Sequence, residues 1–420
     1  MHKLLALVAL PLTLLAGCGG GGGGGGGTSS MGSSAPPPVS PTMASAGPPN
    51  VETVVLDGGP SALTVPAVNT AFVTVEVCVH GTTNCQKIDH VEIDTGSVGL
   101  RLIAAGNSDG ELSLALPAET NGSTPLAECL EFADGTSWGA LRTADVTLPI
   151  SGETASNVNV QVIGDPAAGS PPSSCAGTAE NTVQTFGANG ILGIGPFIND
   201  CNSFGACGGG YSAIYYSCSA SAGCSTPYSA TLAQQLQNPV TLFAKDNNGV
   251  ILELPAISGS GATNPSGVLV FGINTESNNS LGSATQLLAN TSTGYITATL
   301  NGTTYTDSYL DSGSNGNFFT DSSLPVCPMP NNGFYCPTAT TSQNAMLSSP
   351  TSGKTSAADF DIANASSLFQ ANPTYTVFTQ LAGPNTDPKS LDLGLAFFFG
   401  HFVYTAIENP TTNTPPYFAF

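Results

Sequence analysis

The chain repeats one short pattern in its two halves. Residues 91–97 read VEIDTGS and residues 308–314 read SYLDSGS, so in each half an apolar run ends in an Asp-Thr/Ser-Gly-Ser turn. An apolar segment ending in glycine follows each turn later in the chain, at 190–193 (GILG) and at 391–394 (LDLG). One such turn alone is typical of an ordinary β-turn. Two copies with matching flanks instead predict two related halves that each contribute one aspartate.

The composition favours strands over helices. Charged residues make up 8% of the chain, which contains 50 Gly and 31 Pro, and this predicts many short strands and turns in an all-β protein. The formal net charge is −21, with 28 Asp and Glu against seven Lys and Arg. We expect no nucleic-acid partner, because binding a phosphate backbone requires a basic surface.

The amino-terminal residues resemble a lipoprotein export signal. A basic start and an apolar run at 4–15 lead to Cys18, which predicts a signal peptide over 1–17 and lipidation of Cys18. The apolar run is too short to span a bilayer. Residues 18–50 are rich in Gly, Ser and Pro and predict a flexible tether. We expect an exported protein anchored by lipid only, and Gly19 favours the outer membrane by resemblance, with its periplasmic and surface faces both open.

The remaining ten cysteines form an even set. In an oxidising compartment this number predicts up to five disulfides. The connectivity between Cys201 and Cys224 is open, because a nested arrangement fits as well as local pairs. The favoured pairs are Cys78–Cys85, Cys129–Cys175, Cys201–Cys207, Cys218–Cys224 and Cys327–Cys336.

The body divides into two predicted lobes, 51–238 and 239–420. Apolar runs separated by turn residues predict strands throughout, among them 71–79, 88–93, 141–148 and 158–163. A Cys-, Gly- and Tyr-rich stretch at 199–226 predicts a disulfide-pinned insertion. Two readings are open for the tyrosines in and just after this insertion: they line a surface that binds a partner, or they have only a structural role. These residues are Tyr211, Tyr215, Tyr216 and Tyr228. Leu232 and Leu236, four residues apart, predict an amphipathic helix at 227–237.

Several further segments carry a family resemblance. Residues 186–195 (FGANGILGIG), 132–139 (FADGTSWG) and 267–272 (GVLVFG), together with the two Asp turns, resemble the pepsin-like aspartic peptidases over most of 65–420. The resemblance implies an all-β, bilobal fold with a cleft between the lobes and few short helices. We expect the relatives of this chain among bacterial lipoproteins of unassigned function that carry such a domain.

The resemblance also implies a site and a substrate. Asp94 and Asp311 would be the catalytic pair, and a β-hairpin flap would cover a peptide or protein substrate. We expect no cofactor, no metal and a monomer. The residues that would support the pair are Thr95, Gly96, Ser97, Ser312, Gly313 and Ser314, and those of the flap are Phe132, Asp134, Gly135, Thr136 and Trp138.

The physical basis of such a pair is proton sharing. Two adjacent carboxyls cannot both stay ionised, so one holds a proton while the other is free to accept one from water. The protonated carboxyl can then donate to the oxygen of the scissile carbonyl. Thr95, Ser97, Ser312 and Ser314 are expected to hydrogen-bond the carboxylates and fix their orientation.

Three departures from the family pattern leave alternatives open. Phe132 stands where the family has Tyr, the single tryptophan Trp138 lies in the flap, and Leu395 stands where Asp is common. The main alternative is therefore a catalytically idle pepsin-like scaffold that binds peptides or an envelope partner. A purely structural, lipid-anchored surface module is a second alternative.

Other catalytic motifs are weaker. Gly-x-Ser-x-Gly occurs at 106–110 and 135–139, but neither copy has the strand before and the helix after that a nucleophile elbow requires. His80, His90 and His401 have no partner at a metal-ligand spacing, so we expect them to be structural.

Overall fold

A computed structural model describes residues 42–106, 110–201, 214–219 and 223–420. The predicted signal peptide, Cys18 and most of the predicted tether lie outside these ranges. Within them the chain forms strands, three short α-helices and two 3-10 turns at Pro166–Ala168 and Pro239–Leu242. No helix of this described part is long and apolar enough to cross a membrane.

The first half is built from eleven strands and one helix within the described ranges. The predicted strands at 71–79, 88–93, 141–148 and 158–163 are confirmed. The elements are β1 (Val51–Val55), β2 (Phe72–Cys78), β3 (Cys85–Asp94), β4 (Val98–Ile103), β5 (Thr120–Asn121), β6 (Thr124–Glu131), β7 (Thr136–Thr147), β8 (Thr154–Ile163), α1 (Val183–Phe186), β9 (Gly190–Ile194), β10 (Tyr215–Ser219) and β11 (Gly223–Pro227).

The second half, 239–420, adds fourteen strands and two helices. They are β12 (Gly249–Glu253), β13 (Ser266–Phe271), β14 (Leu287–Leu288), β15 (Ile296–Leu300), β16 (Thr303–Asp311), β17 (Asn317–Phe318), β18 (Thr341–Gln343), β19 (Ala345–Ser348), β20 (Thr355–Ala357), β21 (Phe360–Ile362), α2 (Ala365–Ala371), β22 (Ala382–Gly383), β23 (Asp392–Gly394), α3 (Leu395–Phe398), β24 (Phe402–Ala406) and β25 (Tyr417–Ala419).

The strands form one large sheet and two smaller ones. The large sheet runs β11-β10-β6-β7-β8-β4-β9-β3-β2-β1-β13-β12-β24-β25-β14, with β5 beside β6, and β7 also pairs with β2. The second sheet runs β20-β19-β15-β16-β23-β17-β22, and β18 pairs with β21. Alternation explains the half-buried strands: in β2, Val73, Val75 and Val77 enter the core while Thr74 and Glu76 are less buried.

The internal repeat predicted from the sequence is present in the topology. In the first half β3 lies parallel to β9, which lies antiparallel to β4, and Asp94 is opposite Gly193. In the second half β16 lies parallel to β23, which lies antiparallel to β17, and Asp311 is opposite Gly394. The apolar-Gly strand therefore supports the Asp-bearing strand in the same way in both halves.

The strand β1 joins the two halves. Val51 to Val55 pair in full with β13 of the second half, whereas only Val55 pairs with β2. The residues just before β1 are packed as well: the Ala44 N–H donates to the Glu253 carboxylate at 2.6 Å, and the Asn50 side chain donates to a β13 carbonyl. The predicted tether therefore ends before Asn50, and its last residues belong to the folded body.

The predicted helix at 227–237 is wrong. This segment forms a turn, in which Leu232 is 53% exposed while Leu236 is fully buried, so the two leucines do not share a face. The Asn159 side chain donates to the backbone carbonyl of Ala233 at 2.7 Å. Side-chain partners thus satisfy backbone groups that a helix would have paired internally.

The predicted disulfides agree with the structure wherever both cysteines are described. Cys201 is also disulfide-bonded, but its predicted partner Cys207 lies outside the described residues. The disulfides with both partners described are Cys78–Cys85, Cys129–Cys175, Cys218–Cys224 and Cys327–Cys336.

A buried charged cluster lies beneath β4. Arg101 is fully buried and donates to Glu128 at 2.8 Å, to Asp200 at 3.2 Å and to the carbonyl of Val98 at 2.8 Å. The Tyr215 hydroxyl donates to Asp200 at 2.8 Å. The cluster connects β4, β6, β10 and the segment after β9. It therefore holds in place β4, the strand that follows the first Asp turn in the chain.

Arg101→Met should lower the free energy of unfolding by about 3–5 kcal/mol, because it leaves two buried acidic groups without their cation. Chemical denaturation would measure the loss. Arg142→Met is the matched control, since Arg142 pairs with Asp165 at 2.6 Å in a partly exposed position and should lose less. An equal loss for both variants would contradict the structural importance assigned to the buried cluster.

Buried carboxyls should make the protein more stable in mild acid than at neutral pH. Burial raises the pKa of Glu153 and of Glu253 to about 7. The folded state therefore keeps these protons to higher pH than the unfolded chain, and the free energy of unfolding falls as pH rises from about 4.5 to about 7. Calorimetry should give a higher Tm at pH 5 than at pH 8.

The substitution Glu253→Gln should narrow this difference in Tm, whereas Glu131→Gln, at an exposed glutamate, should leave it unchanged. A Tm that rises from pH 5 to pH 8 would contradict the conclusion that buried, protonated Glu153 and Glu253 set the pH dependence of stability.

Candidate active site

The two Asp turns meet between the halves of the protein. Asp94 ends β3, Asp311 ends β16, and both side chains are fully buried. A Cβ placed on Gly96 would lie 2.6 Å from the Asp311 carboxyl carbon, and one placed on Gly313 would lie 2.7 Å from Asp94 Oδ1. Each turn therefore needs glycine, because the carboxyl of the opposite turn occupies the space of a side chain.

Each carboxylate is held by its own turn. Asp94 accepts from the Gly96 N–H at 2.7 Å and from the Ser97 hydroxyl. Asp311 accepts from the Gly313 N–H at 2.9 Å, and the Ser314 hydroxyl lies 3.3 Å from its Oδ2. The expectation that Ser97 and Ser314 hydrogen-bond the carboxylates is met.

The expectation for Thr95 and Ser312 is wrong, because these hydroxyls join the two turns to each other. The Thr95 N–H donates to Ser312 Oγ at 3.1 Å, and the Ser312 N–H donates to Thr95 Oγ1 at 2.9 Å. The Thr95 hydroxyl donates to the carbonyl of Leu310, and the Ser312 hydroxyl donates to that of Ile93. The four bonds are reciprocal and buried, and they fix the distance between the two carboxyls.

The pair is suited to sharing a proton. Burial, the negative charge of Asp94 and that of Asp392 raise the pKa of Asp311 well above its usual range, and a side-chain hydrogen bond with Asp94 acts in the same direction. Two carboxyls in this arrangement titrate as one unit, so no single proton is assigned to either residue.

A third carboxyl, which the sequence did not single out as functional, lies beside this pair. Asp392 in β23 is fully buried, and its Oδ2 accepts from the Ser314 hydroxyl at 2.6 Å. Desolvation by burial raises the pKa of Asp392 to about 7. The available signal was a charged residue inside the apolar run Leu391-Asp392-Leu393, because an unpaired charge in a buried strand is costly.

The predicted flap is a β-hairpin. Strands β6 and β7 are joined by a turn in which the Phe132 N–H donates to the Gly135 carbonyl at 2.7 Å. The Phe132 ring packs edge to face on Phe186, with centroids 5.9 Å apart. Phe132, Asp134 and Phe186 line the same crevice as Asp94 and Gly313, and this places the hairpin tip at the candidate site.

The hairpin is tied to the segment that precedes α1. The Thr136 N–H donates to the Thr178 carbonyl at 2.8 Å, and Cys129 of β6 is bonded to Cys175. Trp138 belongs to this support rather than to the pair: its Nε1 donates to the Gly169 carbonyl and its ring packs on Tyr216. Of the predicted flap residues, Phe132 and Asp134 line the site, whereas Thr136 and Trp138 anchor the hairpin.

A small crevice with a volume of about 10 Å³, which is about enough for one water molecule, lies between the hairpin tip and Asp94. Its walls are partly apolar and partly acidic. Sequence reasoning missed Glu180, which lies in no motif. It also did not assign Phe186 and Ile191 to the lining, although both lie in the segment 186–195 that carries the family resemblance. The complete lining is Asp94, Phe132, Asp134, Glu180, Phe186, Ile191 and Gly313.

The weaker sequence motifs have structural roles where they are described. Ser137, in the Gly-x-Ser-x-Gly string at 135–139, is a buried strand residue that lies 3.1 Å from the Gln161 side chain. The other string, 106–110, lies partly outside the described residues. Each of the three predicted structural histidines contacts an oxygen of the protein. His80 contacts the Asp145 carboxylate, His90 that of Asp57, and His401 the backbone carbonyl of Phe397.

The structural alternative holds for two tyrosines of the insertion, because Tyr215 and Tyr216 are fully buried and cannot line a partner surface. Tyr228 is half-buried, and its hydroxyl donates to the Gln234 side chain at 2.9 Å. Tyr211 lies outside the described residues. Among the described residues, one grouping could offer three metal ligands, Glu76 with Cys78 and Cys85, but its two sulfurs are joined to each other.

Solved structures establish the fold. The aspartic proteinase from Irpex lacteus matches with a TM-score of 0.50 and 15% sequence identity, covering 89% of this chain and 97% of that one. At this identity the likeness shows the fold alone, and it confirms the predicted all-β, bilobal, pepsin-like architecture. A search of curated proteins finds no match.

A protein-family model gives the wider relationship. The model with the description "Protein of unknown function (DUF3443)" matches residues 46–420, which include both Asp turns, the hairpin and Asp392. The predicted grouping with bacterial lipoproteins stays a prediction. Because the match spans most of the chain, this protein belongs to the DUF3443 family.

Proposed function

We propose that this protein is an aspartic endopeptidase in which a water molecule between Asp94 and Asp311 hydrolyses a peptide bond. One observation carries the proposal: two buried carboxyls from different halves are held against each other by the reciprocal Thr95 and Ser312 bonds. Holding two acidic groups together is unfavourable unless they share a proton. Four buried hydrogen bonds between the two turns hold the carboxyls in this otherwise unfavourable arrangement.

The chemistry follows from the shared proton. The ionised carboxyl takes a proton from water as the water oxygen attacks the scissile carbonyl, and the protonated carboxyl donates to the carbonyl oxygen. As the C–N bond breaks, the carboxyl that took the water proton donates it to the leaving nitrogen. The other carboxyl takes a proton back from the diol, which becomes the new carboxyl group. Every proton in this sequence comes from water or from the Asp94–Asp311 pair, so no cofactor is required.

The substrate in this proposal is an extended peptide beneath the β6–β7 hairpin. The crevice between the hairpin tip and Asp94 marks where a side chain next to the scissile bond would lie, and the hairpin tip would have to lift to admit it. Phe132, Phe186 and Ile191 give the crevice apolar walls, which favour burial of a side chain by the hydrophobic effect.

A catalytically idle peptide-binding scaffold is the second candidate, and the hairpin anchoring favours it. The hairpin is fixed by the Cys129–Cys175 disulfide and by the Thr136–Thr178 bond, and Phe132 has no hydroxyl to order its tip over substrate. A rigid hairpin would bind a peptide without closing fully over it. An assay of peptide hydrolysis distinguishes the endopeptidase from the idle scaffold.

We also propose that the protein is exported and lipid-anchored through Cys18, with the outer membrane as its site. The disulfides in the described residues support export, because such bonds persist in oxidising compartments. Metabolic labelling with a lipid precursor should mark the wild-type protein and not Cys18→Ser.

Asp94→Asn and Asp311→Asn should each lower peptide hydrolysis by at least about a thousand-fold, because each removes one half of a general acid–base pair. The assay is hydrolysis of a mixed peptide library by the purified protein between pH 3 and pH 8, with products identified by mass spectrometry. A statine-type compound should inhibit the wild type.

Asp387→Asn is the matched control. Asp387 is exposed and accepts from the Lys389 N–H through Oδ1, an acceptor that Asn retains. Hydrolysis that survives both site substitutions would exclude the proposed mechanism. Peptide binding with no hydrolysis at any pH would favour the idle scaffold.

A further inference from the structure

The Ser314 hydroxyl lies between two carboxyls. It is 2.6 Å from Asp392 Oδ2 and 3.3 Å from Asp311 Oδ2, and all three residues are fully buried. Asp392 is held at this position by β23, where it stands opposite Tyr309 two residues before Asp311. The contact is therefore set by the strand register and does not depend on a flexible loop.

The first half has no such bridge. The residue that corresponds to Asp392 by register is Ile191, which stands opposite Glu92 two residues before Asp94. Ser97, which corresponds to Ser314, hydrogen-bonds Asp94 alone among the described contacts. The two turns thus share one backbone frame, but the strand that supports each turn carries the apolar Ile191 in the first half and the ionisable Asp392 in the second.

A hydroxyl has one proton to donate, and this makes the bridge depend on charge. If Asp392 is ionised, it is the nearer acceptor, and the Ser314 hydroxyl donates its hydrogen bond to it. The Ser314 oxygen can then accept a hydrogen bond from a protonated Asp311. If Asp392 is protonated, it can donate to Ser314, whose own proton is then free to stabilise an ionised Asp311. The two carboxyls therefore favour opposite protonation states.

We propose that Asp392 is a positioning residue that acts through the Ser314 hydroxyl to keep the Asp94–Asp311 pair singly protonated. The inference rests on the proposed function and adds a third carboxyl to it. An ionised Asp392 holds the shared proton on the pair at a pH at which two isolated carboxyls would have lost it.

The surroundings of Asp392 contain no compensating cation among the described residues. The titratable groups that face it are Asp94, Asp311 and the phenol of Tyr309, and burial followed by the charges of Asp392 and Asp311 raises the pKa of Tyr309 well above its usual range. Asp392 Oδ1 has no hydrogen-bond partner in the described structure. Burial raises the pKa of Asp392 to about 7, so its charge changes near neutral pH.

Asp392→Asn should move the alkaline limb of the pH–activity profile to lower pH by about one unit, with kcat at the acidic optimum changed only a few-fold. The removal of a nearby negative charge accounts for a shift of this size. The Asn amide would also donate to Ser314 and turn the Ser314 proton toward Asp311, which favours loss of the shared proton. Asp387→Asn, the exposed control, should leave the limb in place.

Asp392→Leu is a second variant, with an apolar side chain like that of Ile191 at the corresponding position of the first half. It should also shift the alkaline limb of the pH–activity profile to lower pH. A residue with a merely structural role would instead lower the Tm or kcat at every pH with the limb unchanged. An unchanged limb in both folded variants overturns the proposal.

The role of Ser314 is tested by a double-mutant cycle. In a Ser314→Ala background, Asp392→Asn should shift the limb less than it does in the wild type, since the hydroxyl that couples the two carboxyls is gone. An equal shift in both backgrounds overturns the claim that Asp392 acts through Ser314.

A readout that does not need activity separates this inference from the proposed function. Infrared titration of the protonated carboxyl band should show one carboxyl fewer near pH 7 in Asp392→Asn, while the contributions of Glu153 and Glu253 remain. The band of the Asp94–Asp311 pair should disappear at lower pH than in the wild type. If the wild type hydrolyses no peptide, the proposed function fails, while the infrared titration still decides the role of Asp392. A pair band that titrates identically in both proteins overturns the proposal.

Discussion

The candidate site depends on one reciprocal contact, in which the hydroxyls of Thr95 and Ser312 each bond the backbone of the opposite turn. These residues are separated by 217 positions in the chain, so the contact forms only when both halves are folded and docked. Breaking it would leave buried donors and acceptors unsatisfied, at a cost of about 1–3 kcal/mol for each group. The distance between Asp94 and Asp311 is therefore a property of the whole fold, and neither turn can move alone.

The frame around this contact is nearly symmetric, whereas the chemistry on it is not. Parallel pairing of β3 with β9 and of β16 with β23 places a glycine opposite each aspartate. The hairpin and all of the crevice lining except Gly313 belong to the first half, and the third carboxyl belongs to the second half. A symmetric scaffold makes two equal carboxyls, and asymmetric neighbours are needed to give them different tasks. Asp392 and Ser314 supply such a difference on the Asp311 side.

Sequence reasoning succeeded where the signal was local or repeated. The paired turns follow from internal duplication, and three disulfides follow from short spacings. Cys129–Cys175 was the pair left over from an even set, and the hairpin followed from the family resemblance. Sequence reasoning failed where the partner lay far along the chain. The Thr95 hydroxyl was expected on a carboxylate because Asp94 is its neighbour, but its partners come from the other half. The segment 227–237 has helical spacing, yet the distant Asn159 takes its backbone carbonyls. Asp392 was visible as a charge in an apolar run, but its contact with Ser314 required the fold.

The acidic composition connects the stability of the protein with its site. With 28 Asp and Glu and only seven Lys and Arg, most carboxyls cannot be paired with a cation. A buried carboxyl without a cation is tolerated best when it is protonated, and burial accordingly raises the pKa of Glu153, Glu253 and Asp392 to about 7. The Arg101 cluster is the exception, because it places one of the few cations in the core, within the strand that follows the Asp94 turn. Protonated carboxyls thus stabilise the fold in the pH range where a shared proton on Asp94 and Asp311 is also retained, so stability and the proposed chemistry favour the same mildly acidic conditions.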